Sequence, residues 1–99
     1  RQAEYVAPTT TIETQLVEIW QEVLGVEQIG ILDNFFDLGG NSLNAIRINA
    51  KIRQELDLEL EIKNLFHLKT IRDLAFQIDF SEQQKEIKLD NQTLRKIEL

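Results

Sequence analysis

Apolar residues recur at helical spacing in several stretches of this chain and lose that spacing in between. Ile12, Leu16, Ile19 and Val23 step by three and four residues, the repeat of one helical face, with Trp20 and Leu24 beside them. Thr10 stands ahead of the run with Glu13 three residues later, a capping-box pattern that starts a helix at Thr11, and Gly25 is a natural stop. Near the other end, Ile71, Leu74, Ala75 and Ile78 fall at i, i+3, i+4 and i+7 behind a second capping pattern, Thr70 with Asp73. Between these lie an expected helix from Ser42 to Leu56, a connection over residues 57–61 and a short helical turn from Ile62 to Phe66. The pattern predicts an all-α fold, a small four-helix bundle of three main helices and one short one.

Residues 26–41 keep no helical period, yet they carry Ile29, Ile31, Leu32, Phe35, Phe36 and Leu38. That is too much apolar surface for a solvated loop, so the segment is expected to pack on the core. Loops longer than about 12 residues without secondary structure are uncommon in compact domains and are often functional. Residues 1–9, with the sole proline Pro8, read as an extended linker, residues 10–80 as the domain, and residues 81–99 as a polar tail or linker able to become helical against something else.

Composition narrows the function classes. With 42% apolar residues, 28% charged residues and 99 residues in all, the chain is an ordinary globular one with room for a single small core. A net charge of −6 argues against a sequence-independent grip on nucleic acid, and no apolar run is long enough for a membrane. The lack of cysteine excludes disulfides and thiolate metal sites. No metal-ligand cluster and no targeting segment is apparent, so a cytoplasmic setting and a fragment of a longer polypeptide are expected.

The run Leu38-Gly39-Gly40-Asn41-Ser42-Leu43 is where the long loop becomes the second helix. Ser42 alone reads as an N-cap. The two glycines change that balance, because they remove side chains just ahead of the hydroxyl and allow a bulky partner to approach. A helix N-terminus also favours a phosphate esterified there. Catalysis by Ser42 is disfavoured: the one histidine, His67, lies beyond the second helix without an orienting acid, so no catalytic residue is assigned. At about 100° per residue, Ala45, Ile48, Ile52 and Leu56 form one apolar arc, interrupted by Asn49, while Leu43, Ile46 and Ala50 form another. The second arc is either a docking surface or is covered by Phe35 or Phe36.

The longer run from Asp33 through Phe35-Phe36-Asp37-Leu38-Gly39-Gly40-Asn41-Ser42-Leu43 resembles the signature of peptidyl carrier (thiolation) domains of nonribosomal peptide synthetases. The resemblance extends from about Pro8 to Ile78. It implies the acyl-carrier type of four-helix fold and a non-catalytic role, in which Ser42 receives 4'-phosphopantetheine from coenzyme A through a phosphopantetheinyl transferase. Gly39, Gly40 and Asn41 then shape the approach to the arm. Leu43, Ile46, Arg47 and Ala50 face partners, namely adenylation, condensation and release domains of the same assembly line. The isolated domain is expected to be a monomer. Asn41 stands where the family often has His or Asp, and Asn44 and Asn49 stand at places commonly apolar.

Two other readings share some of these features. An acyl carrier protein of fatty acid or polyketide synthesis has the same fold and cofactor but usually an acidic second helix. Here Arg47, Lys51 and Arg53 outnumber Glu55. An unmodified helical adaptor would use the Leu43, Ile46 and Ala50 stripe but leaves Gly39-Gly40-Asn41-Ser42 unexplained.

Overall fold

The computed structural model describes residues 4–80; the tail at 81–99 and the expectation attached to it lie outside the described residues. The chain forms α1 (Thr11–Leu24), α2 (Ser42–Leu56), α3 (Ile62–Leu68) and α4 (residues 71–80), with no strand among the described residues. α1 begins as its sequence dictates. The Thr10 hydroxyl accepts the Glu13 amide at 3.1 Å, the Glu13 carboxylate accepts the amides of Thr9 and Thr10, and Gly25 closes the helix at φ 69°.

The amide of Thr9, foremost, holds the Glu13 carboxyl below its ordinary value of 4.5. Folding therefore favours the ionised form. The stability this adds is present above the unfolded-chain value and is lost as pH falls through the folded one. Denaturation midpoints of the parent chain should fall more steeply below pH 4.5 than those of Glu13→Gln. Parallel acid limbs would contradict the assignment.

One core joins all four helices: Leu16, Ile19 and Trp20 from α1, Ala45, Ile48 and Ile52 from α2, Leu65 from α3, and Ile71, Leu74 and Ile78 from α4. α3 runs two residues beyond the expected Phe66, to Leu68, because Lys69 caps it in the left-handed region at φ 66°. Asp57 ends α2 in the same way at φ 54°. Asn49, an apparent interruption of the core arc, donates from its side chain to the Leu60 carbonyl at 2.7 Å and ties the connection between α2 and α3 to the bundle.

The long loop is built into the fold, as its apolar content requires. Ile29, Ile31 and Phe35 are buried. The Phe35 amide donates to the Lys69 carbonyl at 2.7 Å and the Arg72 amide to the Ile31 carbonyl at 3.0 Å, so the loop grips the junction of α3 and α4. Part of the segment expected as linker is also held: the Ile31 amide donates to the Val6 carbonyl at 2.9 Å. Asp33 is buried and accepts the Gly30 amide at 2.9 Å, closing the turn, while Asp37 is exposed. His67 is exposed.

Candidate functional site

The loop delivers residues 34–41 to the start of α2 through a series of short turns. The Asn34 side chain accepts the Phe36 amide at 2.8 Å, and Leu38, Gly39 and Gly40 donate back to the carbonyls of Asn34, Phe36 and Phe35. Gly39 sits at φ 92°, a conformation that side-chain-bearing residues rarely adopt. It is exposed, and a Cβ there would meet nothing within 4 Å. Gly40 has a different reason to be glycine. A Cβ there would lie 2.5 Å from two ring carbons of Phe35. The clearance read from the sequence as room for a partner is thus open at Gly39 and filled from within by an aromatic ring at Gly40.

Asn41, not Ser42, caps α2. Its backbone is extended at φ −149°, its side-chain oxygen accepts the Asn44 amide at 2.9 Å, and its carbonyl accepts the Ala45 amide at 2.9 Å. Ser42 is consequently the first helical residue, is exposed, and its hydroxyl makes no hydrogen bond among the described residues. This removes the reading in which the serine is consumed as a cap. Helix geometry leaves the amides of Ser42 and Leu43 without an intrahelical acceptor at the positive end of a 15-residue helix. Asn44, which the sequence reading noted only as a departure, also donates from its side chain to the Gly39 carbonyl at 3.3 Å, bracing the loop from the helix side. The pairing of Asn at the cap with Asn three residues later was the available signal.

The outer arc of α2 is open to solvent: Leu43 is 57% and Ile46 51% exposed, and Arg47 and Ala50 are exposed beside them. Phe35 is fully buried and packs edge-on against Trp20 at 5.4 Å, while Phe36 stacks on Phe66 at 5.7 Å. Neither covers the arc. Ile46, Asn49, Ala50 and Arg53 line a shallow groove of about 250 Å³ whose far wall is Ile62, the first residue of α3. The sequence reading missed Ile62, although an apolar residue opening a short helix was visible.

The positive charge of α2 is less available than its count suggests. Lys51 pairs with Glu22 of α1 at 2.9 Å, which raises its pKa, and Arg53 pairs with Glu59 at 3.3 Å. Among the described residues Arg47 makes no ion pair, and so it is the cation of α2 free to meet a partner on the face that starts beside Ser42.

The arrangement offers an unengaged hydroxyl at a helix N-terminus, a braced loop before it and an apolar patch after it. Among the described residues no side chain is hydrogen-bonded to the Ser42 hydroxyl, and His67 is exposed. Such a serine is placed to receive a group. The family described as "Phosphopantetheine attachment site" matches residues 14–77. Tyrocidine synthase 2 of Brevibacillus parabrevis is 48% identical over 81 residues, covering 82% of this chain but only 2% of that protein. The peptidyl carrier protein solved in complex with the phosphopantetheine transferase Sfp and coenzyme A superposes with a TM-score of 0.74 at 49% identity, covering 77% of this chain and 99% of that one. An active-site mutant of a peptidyl carrier protein, solved in solution, gives a TM-score of 0.75 at 48% identity, covering 81% and 89%. The chain belongs to the phosphopantetheine-attachment family and is a peptidyl carrier domain of the nonribosomal peptide synthetase type.

Proposed function

We propose that Ser42 Oγ is the atom that carries the 4'-phosphopantetheine arm, and that the domain, residues 10–80, is a substrate and shuttle with no catalytic residue of its own. The observation that supports this best is the division of labour at the start of α2: Asn41 does the capping, and the Ser42 hydroxyl is left exposed and unbonded.

The residues present fit the group. The open side at Gly39 admits the arm, and the amides of Ser42 and Leu43 present the positive end of the helix to a phosphate, a favourable term of about 0.3–1 kcal/mol at a surface. In the modification, Ser42 Oγ forms a bond to the phosphorus of coenzyme A that bears the pantetheine. The bond from that phosphorus to the bridging pyrophosphate oxygen breaks, 3',5'-ADP leaves, and the serine proton passes to a base on the transferase. When bound, the arm supplies the terminal thiol on which an aminoacyl or peptidyl group is held as a thioester. Loading of the parent chain but not of Ser42→Ala is the experiment that tests the assignment.

Leu43, Ile46, Arg47 and Ala50, joined by Ile62 across the groove, form the surface that successive partners share: the transferase, then adenylation, condensation and release domains. The setting is cytoplasmic and the isolated domain monomeric. A shuttle has to leave each partner, so a small patch with a few anchors suits it better than a large interface. Ile46→Asp should cut aminoacylation by a cognate adenylation domain about tenfold, the cost of one interface anchor. Because Ile46 is exposed, the thermal midpoint should move little. Loss of the helical circular-dichroism signal in Ile46→Asp would contradict this role.

A further inference from the structure

A groove of about 200 Å³ lies between the start of α1, which contributes Thr10 and Glu13, and α4, which contributes Arg72, Asp73, Phe76 and Asp79. Its apolar side is uncovered. Phe76 is 74% exposed and Phe80, one turn further along, 51% exposed, whereas Ala75 and Ile78 of the same helix are buried in the core. A lone exposed apolar residue is ordinary. Two aromatic residues about 40° apart on one side of a helix, beside a groove, make a continuous patch suited to contact with another molecule.

The charges of the groove select its occupant. The Glu13 carboxylate is already engaged by the amides of Thr9 and Thr10, and Arg72 offsets its charge. Asp73 and Asp79 are both exposed and stand three residues before and after Phe76, about one helical turn to either side. At α1 the capping carboxylate of Glu13 accepts the Thr10 amide, but at α4 the Thr70 amide donates instead to the Leu68 carbonyl at 2.7 Å, which leaves the Asp73 carboxylate unused. Neither aspartate forms an ion pair among the described residues. An aromatic face bracketed by two such carboxylates fits a guanidinium, which lays its plane on the ring and pairs its edge with a carboxylate; an ammonium has no plane to stack. We propose that this groove is a docking site for a separate protein partner that sets an arginine on Phe76, between Asp73 and Asp79, and an apolar residue against Phe80. The site lies on other helices than Ser42 and stands apart from the assignment of the arm.

The test uses the full 99-residue chain. Synthetic Ala-based helical peptides of about 16 residues, with Leu four residues after Arg, or after Lys or Glu in its place, are titrated while the amide resonances of residues 72–80 are followed by NMR. The Arg peptide should bind at least about tenfold more tightly than the Glu peptide, as pairing with opposite charge requires. It should also exceed the Lys peptide by about threefold or more, the share of ring stacking. Phe76→Leu, which keeps an apolar side chain but removes the ring, should abolish the preference for Arg over Lys. Asp73→Asn/Asp79→Asn should abolish the preference for Arg over Glu. All three positions are exposed, so these variants should keep the fold, and Ser42→Ala should bind like the parent. The proposal is overturned by absence of saturable binding at millimolar peptide, by equal binding of the Arg peptide and either of the others, or by preferences that survive the two variants. Self-association of the parent chain that Phe76→Ser abolishes would also overturn it, by making a second copy the occupant.

Discussion

Phe35→Ala should destabilise the domain by about 3–5 kcal/mol, the range for removing a large buried aromatic side chain. Phe35 has no exposed surface and sits at the meeting point of three aromatic contacts, with Trp20 at 5.4 Å, Phe36 at 5.4 Å and Phe66 at 6.4 Å. Its backbone amide also holds the junction of α3 and α4. For a small domain whose whole stability is about 5–15 kcal/mol, this loss approaches unfolding.

The same ring accounts for Gly40. Gly40→Ala forces a Cβ to within 2.5 Å of Phe35 carbons and should cost about 1–3 kcal/mol by overpacking. The clash disappears when the ring does. The double variant should therefore fall short of the sum of the two single losses by about 1 kcal/mol or more, a coupling that denaturant titrations of the four chains resolve. Strict additivity would mean that Gly40 is required for some reason other than the ring, such as access to Ser42.

Ser42→Ala should have the opposite profile: no large change in stability and complete loss of loading. The hydroxyl makes no hydrogen bond among the described residues, Asn41 supplies the cap, and alanine is a good helix former at an exposed first-turn position. Stability and function thus separate across three adjacent positions. Gly40 serves the core, Asn41 serves the helix end, and Ser42 is left for chemistry.

Much of this fold was legible in the sequence because it rests on local rules. Thr10 with Glu13, and Thr70 with Asp73, announce helix starts by side-chain chemistry, and the apolar arcs of α1, α2 and α4 identify most of the buried residues, with Ile12, Val23 and Leu56 only half-buried at the helix ends. The packing of the loop followed from its apolar content alone. The stops at Asp57 and Lys69 were not legible, since both are left-handed residues with no glycine to mark them. Asn41 and Ser42 are both good N-caps, and sequence propensity does not decide between neighbours; the loop's turns do. The filling of Gly40 by Phe35 and the pairing of Lys51 with Glu22 join elements distant along the chain, which a linear pattern does not encode.

The central assignment is tested most directly by the intact mass of the parent chain and of Ser42→Ala, each incubated with coenzyme A, magnesium and a broad-specificity phosphopantetheinyl transferase. The account predicts that the parent gains the mass of one phosphopantetheine, on the peptide containing Ser42, and that the folded alanine variant gains none. A folded parent chain that gains nothing, or an alanine variant that is still loaded, would contradict it.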